Sequence, residues 1–213
     1  FTNKAASEMA ARVAQMTEVP AKNPQLLHGT FHSMGSRFLR RYGQRIGYEQ
    51  NFSILDASDA QDLLKAALAE VVGKPTKKFP NAGVLGNVFS GAFNANCTTE
   101  MLAENPYTER TFGLEEYVLR SSYVYLEEHL DVMTQILCKY REKKRRNQVL
   151  DFDDLLENWL DLLRQHHEQL PLCEQIQQVL VDEYQDTNLV QAQILDFVSR
   201  PHRNLMVVGD DAQ

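Results

Sequence analysis

The chain has 213 residues, 43% of them hydrophobic, which suits one domain carrying an insertion better than several independent domains. No apolar stretch approaches the roughly 20 residues that a membrane-spanning helix needs, so no membrane partner is expected. The formal net charge is −7, but residues 1–50 carry a net +4, residues 51–150 a net −1 and residues 151–213 a net −10. The amino-terminal part therefore suits contact with phosphates, and the carboxyl-terminal part suits a metal ion or a partner domain.

The three cysteines, Cys97, Cys138 and Cys173, are widely spaced and form no CxxC pair. An odd number of isolated cysteines predicts reduced thiols rather than disulfide bonds, and the spacing fits no zinc site. The sequence shows no secretory signal either. Together these features predict a cytoplasmic protein.

Two helices, each preceded by a short turn, are predicted near the amino terminus. Residues 7–15 have the apolar spacing of a helix and follow a turn at residues 1–3. A second helix, which contains several arginines, follows the turn at residues 30–32. These arginines could contact phosphates, although a basic helix face is more commonly just a solvated one.

From residue 58 onward the pattern changes to one helix after another. Residues 59–72 predict an amphipathic helix, and residues 115–146 predict a single long helix with apolar residues three to four positions apart. The end of that helix, residues 139–146, is the densest positive cluster of the chain. It could bind the phosphates of duplex DNA, or its cations could simply be favoured by the dipole at the carboxyl end of the helix.

The acidic sequence DFDDLL at residues 151–156 has two interpretations. It could contribute to a second metal site, or it could form the first turn of a helix with Asp151 as the N-cap. The second interpretation also accounts for Phe152 and Leu155, which would form the buried face of that helix together with Trp159.

Apolar runs followed by polar residues occur twice near the carboxyl terminus. Asp182 and Glu183 follow the apolar residues 179–181, and a second apolar run, 205–208, leads into the sequence GDDAQ. Helical spacing between the runs, with residues 186–188 suited to cap the helix, predicts a β-α-β unit of two buried parallel strands. Both strands would then end at one edge of the sheet, where α/β proteins bind their ligands.

These residue types suit the cleavage of a phosphoanhydride bond. That reaction needs a hard cation on the terminal phosphates and a carboxylate or amide beside the attacking water. Asp182 would bind Mg²⁺ directly or through water, Glu183 would orient or deprotonate the attacking water, and Gln213 would sense a phosphate or that water. Alternatively, the acids merely cap the helix that follows the strand.

Five stretches of the chain together resemble one protein family. They are LVDEYQDTN and VVGDDAQ, which contain the residues above, and FTNKAASEMAARV, GTFHSMGSRFLRRYG and DFDDLL at residues 1–13, 29–43 and 151–156. In order and spacing they resemble the motifs of superfamily 1 DNA helicases of the UvrD, Rep and PcrA type. One departure is Ala212, which stands where related sequences usually carry a second acid. Either that acid is dispensable, or the coupling between nucleotide and DNA strand is altered.

The resemblance implies both a fold and an activity. The fold would be α/β, an incomplete RecA-like P-loop NTPase parallel sheet in residues 1–57 and 151–213 with a mostly helical insertion at residues 58–150. The complete protein would use ATP and Mg²⁺ to translocate along single-stranded DNA and to unwind duplex DNA. Asp182 and Gln213 would contact the nucleotide.

The resemblance also implies contacts with single-stranded DNA at both amino-terminal turns. Phe1 would offer its ring to a base, Thr2 and Asn3 would contact phosphates, and Thr30 and His32 would lie near the DNA backbone and bases. The alternative is that Phe1 belongs to the core, the turns are ordinary ones and His32 is structural.

The sequence contains no match to GxxxxGK(S/T), the loop that cradles the phosphates of a nucleotide. We therefore expect that the chain alone neither hydrolyses ATP nor unwinds DNA, and that its partners are the remainder of the motor and a second RecA-like domain. Two other functions stay open. One is a Mg²⁺-dependent nuclease that uses Asp182, Glu183, Asp186 and the acids near Asp151; the other is a non-catalytic module that binds single-stranded DNA or a protein partner.

Overall fold

A computed structural model describes residues 3–17, 20, 26–74, 79–95 and 112–210. These residues form a mostly helical α/β structure with two short parallel sheets. Phe1, Thr2, Cys97, Ala212 and Gln213 lie outside the described residues, as does the side chain of Asn3. Within the described ranges no helix is both long and apolar enough to cross a membrane.

Helices make up most of the described chain, and the strands are short. The helices are α1 (Asn3–Thr17), α2 (Phe31–Tyr42), α3 (Ala57–Val72), α4 (Ala82–Asn94), α5 (Phe112–Arg120), α6 (Leu130–Arg146), α7 (Phe152–His166), α8 (Pro171–Gln175) and α9 (Leu189–Ser199). The strands are β1 (Ser53–Ile54), β2 (Val149–Leu150), β3 (Val179–Val181) and β4 (Leu205–Val207). The predicted helices at residues 7–15 and 59–72 are therefore present, within α1 and α3.

The predicted β-α-β unit is also present. β3 pairs in parallel with β4, with Val179 opposite Leu205 and Val181 opposite Val207, and α9 connects the two strands. β1 and β2 form a second parallel pair, although α3 to α6 separate them in sequence. The helical segment between β1 and β2 therefore begins and ends at the same two-stranded sheet.

The expectation that β3 and β4 are buried strands is wrong for the described residues. Val179 packs against the core, but Leu180 is 64% exposed and its neighbour in β4, Met206, is 55% exposed. Successive strand residues point to opposite faces of a sheet, so Leu180 and Met206 share one face, and both are largely exposed. All three residues of β4 are exposed.

The buried apolar side chains form two clusters. The first cluster contains buried side chains from residues 38–52 and from residues 150–198. The second contains buried side chains from residues 64–140, which run from α3 to α6. In the first cluster α2 packs on α7, and the ring centroids of Phe38 and Trp159 are 5.0 Å apart. The predicted core positions of Leu155 and Trp159 are confirmed, since these side chains are 1% and 4% exposed.

Phe152 does not belong to that buried face, contrary to the prediction. It is the first residue of α7, and its side chain is 53% exposed. Its ring instead meets the ring of His32 edge to face, with 5.7 Å between the centroids. The buried apolar contacts of α7 begin at Leu155, three residues after Phe152.

The single long helix predicted for residues 115–146 is interrupted. α5 ends well before α6 begins, and a short 3-10 turn lies between them. The hydroxyl of Ser121 donates to the carbonyl oxygen of Val118 and accepts from the backbone N–H of Tyr123. Local hydrogen bonds of this kind compete with the helical ones, and they account for the end of α5.

Candidate functional site

The segments that follow β3 and β4 lie side by side at one edge of the sheet. The backbone N–H of Val208 donates to the carbonyl oxygen of Val181 at 2.8 Å, and the N–H of Tyr184 donates to the carbonyl oxygen of Val208 at 2.9 Å. The ladder of hydrogen bonds therefore continues past the ends of both strands. The common edge predicted from the sequence is confirmed as far as Asp210, and Gln213 lies beyond the described residues.

The two acids after β3 are separated by a sharp turn of the backbone. The side chain of Asp182 is exposed, and one of its carboxylate oxygens accepts from the N–H of Glu183 at 3.0 Å. Glu183 adopts the left-handed conformation with a φ of 50°, which costs a residue with a side chain roughly 1–2 kcal/mol. Because β3 ends at Val181, this turn rather than strand alternation separates the two acids.

Gln185 connects the two segments through its side-chain amide. Its Nε2 donates to a carboxylate oxygen of Glu183, and its Oε1 accepts from the backbone N–H of Asp210 at 3.0 Å. Gly209 permits this approach, since a Cβ atom at that position would lie 2.7 Å from the same Oε1. Gln185 is absent from the residues predicted above. The signal in the sequence is an amide two positions after Glu183, together with a glycine directly after the second apolar run.

Asn188 is the N-cap of α9, as the sequence predicted for residues 186–188. Its Oδ1 accepts from the N–H of Gln191 at 2.9 Å, and the Oε1 of Gln191 accepts from the N–H of Asn188 at 3.1 Å. The Nδ2 of Asn188 also donates to the Oδ1 of Asn94 at 2.9 Å. Because Asn94 is the last residue of α4, this bond joins the helical segment to the element that follows the two acids.

The second amino-terminal turn is held mainly by its own hydrogen bonds. Thr30 is the N-cap of α2, with its Oγ1 accepting from the N–H of Ser33 at 3.2 Å. His32 is half-buried against Phe152, and burial lowers the pKa of its imidazole below the ordinary value of 6.5. The structure thus brings His32 to α7 and keeps its ring neutral at pH 7. Phe31 is partly buried against the first cluster.

Asp151 and Asp154 form a capping box at the start of α7. Asp151 Oδ1 accepts from the N–H of Asp154 at 2.9 Å, and Asp154 Oδ2 accepts from the N–H of Asp151 at 2.9 Å. The ammonium group of Lys144 lies 2.6 Å from a carboxylate oxygen of each acid. The N-cap interpretation is therefore correct. Both carboxylates are engaged by Lys144 and by backbone N–H groups, and the described residues contain no group of three His, Cys, Asp or Glu side chains placed to hold a metal ion.

Burial sets the protonation of this cluster. It raises the pKa of Asp154 to about 7, whereas the Lys144 ammonium group holds the pKa of Asp151 below its ordinary value. The two acids face a single cation, so one of them releases its proton readily and the other does not. The hydroxyl of Tyr140 completes the cluster by donating to Asp151 at 2.9 Å.

The basic run at residues 139–146 is largely paired within the chain. Lys139 and Lys143 lie 2.9 and 2.6 Å from carboxylate oxygens of Glu70 on α3. Arg141 lies 3.2 Å from Glu157 on α7, and Arg145 donates to the carbonyl oxygen of Ile46 at 3.1 Å. The run fastens α6 to its neighbours.

Cys138 and Cys173 are free thiols, the first exposed and the second buried. Burial raises the pKa of the Cys173 thiol to about 11. A thiol in that environment stays protonated and unreactive near neutral pH.

Taken together, the fold and the edge formed by β3 and β4 define an α/β protein with a carboxylate-bearing strand end and a helical segment between two paired strands. Over residues 1–213 the chain matches the family described as the UvrD/REP helicase N-terminal domain. The chain belongs to that family.

The three relatives described next share one name. The chain is 36% identical over 214 residues to the ATP-dependent DNA helicase PcrA of Bacillus subtilis (strain 168). It is 33% identical to the protein of the same name from Staphylococcus epidermidis (strain ATCC 12228 / FDA PCI 1200) and 31% identical to that from Leuconostoc citreum. Each comparison covers 100% of this chain and 26% of the relative, so the chain spans about a quarter of the length of these proteins.

Proposed function

We propose that this chain is part of the first motor of an ATP-dependent DNA helicase that translocates along single-stranded DNA and unwinds duplex DNA. The observation that carries the proposal is the common edge of β3 and β4, where Asp182 and Glu183 lie beside residues 208–210. Ligands of α/β sheets bind at the carboxyl ends of strands, which is where these acids lie. The names of the relatives support the same activity.

Asp182 has the chemistry of a magnesium ligand. Its carboxylate is exposed, and Mg²⁺ prefers hard oxygen ligands, commonly one or two carboxylates together with substrate phosphates. Bound Mg²⁺ would neutralise charge on the terminal phosphates of ATP. Asp182 would hold the ion, Glu183 would orient or deprotonate the attacking water, and Gln213 would contact the nucleotide or that water.

The basic amino-terminal part would bind single-stranded DNA through Phe1, Thr2, Asn3, Thr30 and His32. The neutral, half-buried ring of His32 suits a contact with a base or sugar better than an ionic contact with a phosphate. Stacking and polar contacts of this kind hold a strand without sequence preference.

We also propose that residues 1–57 and 151–213 belong to the RecA-like motor and that residues 58–150 are its helical insertion. The two separate hydrophobic clusters support this division. The parallel pairing of β1 with β2 supports it as well, since it joins the two ends of the helical segment. The motor would be completed by partners: its own remainder and a second RecA-like domain.

The 213 residues by themselves should neither hydrolyse ATP nor unwind DNA. Their sequence contains no match to the loop that cradles nucleotide phosphates. Measurable ATP turnover by the pure chain, lost in Asp182→Asn, would contradict this part of the proposal.

Steady-state ATP hydrolysis by the complete protein, with and without single-stranded DNA, tests the main proposal. We expect DNA-stimulated turnover that falls by about 100-fold or more in Asp182→Asn and in Glu183→Gln. Asp196→Asn is the matched control, because Asp196 is an exposed acid on α9 that pairs only with its neighbour Arg200 at 2.8 Å among the contacts described. Its turnover should be unchanged.

Two other results would favour other functions. Mg²⁺-dependent cleavage of labelled DNA without ATP would favour a nuclease. Salt-sensitive binding of single-stranded DNA by a complete protein that shows no ATP turnover would favour a non-catalytic module.

A further inference from the structure

We propose that Gln185 is a positioning residue that orients the carboxylate of Glu183 according to the position of the segment that follows β4. This role rests on the proposed function, in which Glu183 acts on the water that attacks ATP. Gln185 itself need not touch the nucleotide. It would act through Glu183, because a shift of residues 209–210 would change the direction of the Glu183 carboxylate.

Gln185 forms hydrogen bonds with both ends of its side-chain amide. Nε2 donates to the Glu183 carboxylate, and Oε1 accepts from the backbone N–H of Asp210 at 3.0 Å. The amide group is planar, so its oxygen and nitrogen cannot move independently. A displacement of the Asp210 backbone is therefore passed to the hydrogen bond that Glu183 receives.

The segments that follow β3 and β4 pack closely against each other at Gly209. A Cβ atom on Gly209 would lie 2.7 Å from Gln185 Oε1 and 3.2 Å from the Gln185 backbone nitrogen. Because Gly209 has no side chain, the segment after β4 can lie this close to Gln185. The N–H of Tyr184 also donates to the carbonyl oxygen of Val208 at 2.9 Å, which fixes the register between the two segments.

Glu183 is the residue whose carboxylate this hydrogen bond orients. Its backbone is held in the left-handed conformation, and its carbonyl oxygen accepts from the N–H of Asp186 at 3.0 Å in the following 3-10 turn. The backbone is thus fixed by the turn, while the carboxylate takes its direction from Gln185. A displacement of a catalytic group by about 1 Å can lower a rate roughly 100-fold, so this hydrogen bond is placed to control turnover.

The experiment measures ATP hydrolysis by the complete protein with saturating single-stranded DNA. Gln185→Ala removes the amide, and Gln185→Glu keeps the length of the side chain but replaces the donor to Glu183 with a second carboxylate. We expect kcat to fall about 10- to 100-fold in both variants, while the KM for ATP changes less than about 2-fold. Gln178→Ala, at an exposed glutamine just before β3, is the control and should keep the kcat of the unmodified protein.

A double mutant separates positioning from a general structural role. If Gln185 acts through Glu183, adding Gln185→Ala to Glu183→Gln should lower kcat by less than about 3-fold beyond Glu183→Gln alone. Multiplicative losses, an unchanged kcat in Gln185→Ala and Gln185→Glu, or a rise in KM equal to the loss in kcat would each overturn the role of Gln185 and leave the proposed function intact. Absence of ATP turnover in the unmodified protein would instead reject the proposed function, and with it this role.

Discussion

The ammonium group of Lys144 lies 2.6 Å from a carboxylate oxygen of Asp154, and less than a tenth of either side chain is exposed. Lys144 belongs to the last turn of α6, and Asp154 belongs to the first turn of α7. The pair therefore fixes the point at which the helical segment returns to the first cluster. It also explains why a run of basic residues that resembles a nucleic-acid contact in sequence contains a buried lysine.

Replacing Lys144 with methionine should destabilise the chain strongly. The substitution leaves the buried Asp154 and the partly buried Asp151 without their cation, and breaking a buried ion pair in this way typically costs about 3–5 kcal/mol. Urea unfolding of the 213-residue chain can be followed by the fluorescence of its single tryptophan, Trp159, which is buried in the first cluster. Arg146→Met, at an exposed position two residues along, is the control and should change the free energy of unfolding by less than about 0.5 kcal/mol. Equal effects of the two substitutions would show that the Lys144 pair does not stabilise the fold.

The stability of the chain should respond to pH through Asp154. Burial raises the pKa of Asp154 to about 7 in the folded state, above the value of about 3.9 of an unperturbed aspartate. The stability that this group contributes is fully present below the unfolded value and is lost as the pH rises through 7. Asp154→Asn lacks this titration, so its free energy of unfolding relative to the unmodified chain should rise between pH 4 and pH 8. Chemical denaturation at several pH values measures the difference. A difference that stays constant, or that falls with rising pH, would contradict the assignment.

Two helical glycines should respond in opposite ways to the same substitution. At Gly35 a Cβ atom would lie 3.0 Å from the carbonyl oxygen of Leu155 and 3.3 Å from the ring of Trp159, so Gly35→Ala should force α2 away from α7. We expect a loss of about 1–3 kcal/mol in the free energy of unfolding. At Gly86 the nearest atom would lie 3.6 Å away, so Gly86→Ala should stabilise α4 by about 0.5–1 kcal/mol. Denaturant unfolding of both variants measures the contrast, and a stabilising Gly35→Ala would show that α2 and α7 are not in close contact.

The bond between Asn188 and Asn94 should couple α9 to the helical segment. Asn188→Ala should lower the free energy of unfolding by about 1 kcal/mol, because it removes the N-cap of α9. Asn94→Ala should have a smaller effect in the Asn188→Ala background than in the unmodified chain, because its partner is already gone. A double-mutant cycle should give a coupling of about 0.5–1 kcal/mol. If the effects of the two substitutions on the free energy of unfolding simply add, the 2.9 Å hydrogen bond from Asn188 Nδ2 to Asn94 Oδ1 does not contribute to stability.

Sequence reasoning succeeded where the pattern is local. The spacing of apolar residues identified α1, α3, α9 and the parallel pair β3 and β4, and the residue types at Asp151 and Asn188 identified two N-caps. It failed at Ser121, where two side-chain hydrogen bonds end a helix that apolar spacing would continue. It also failed at Phe152, whose exposure depends on where the first cluster begins rather than on helical periodicity.

The sequence by itself determined which residue types are present at the candidate site and that Asp182 and Glu183 follow a strand. It did so because strand patterns and the order of motifs are properties of neighbouring residues along the chain. Only the tertiary structure decided that Gln185 bridges Glu183 and Asp210, and that Lys144 pairs with both acids at the start of α7. These contacts join segments that lie apart in sequence, and they form only because parallel strand pairing and helix packing bring the segments within hydrogen-bonding distance.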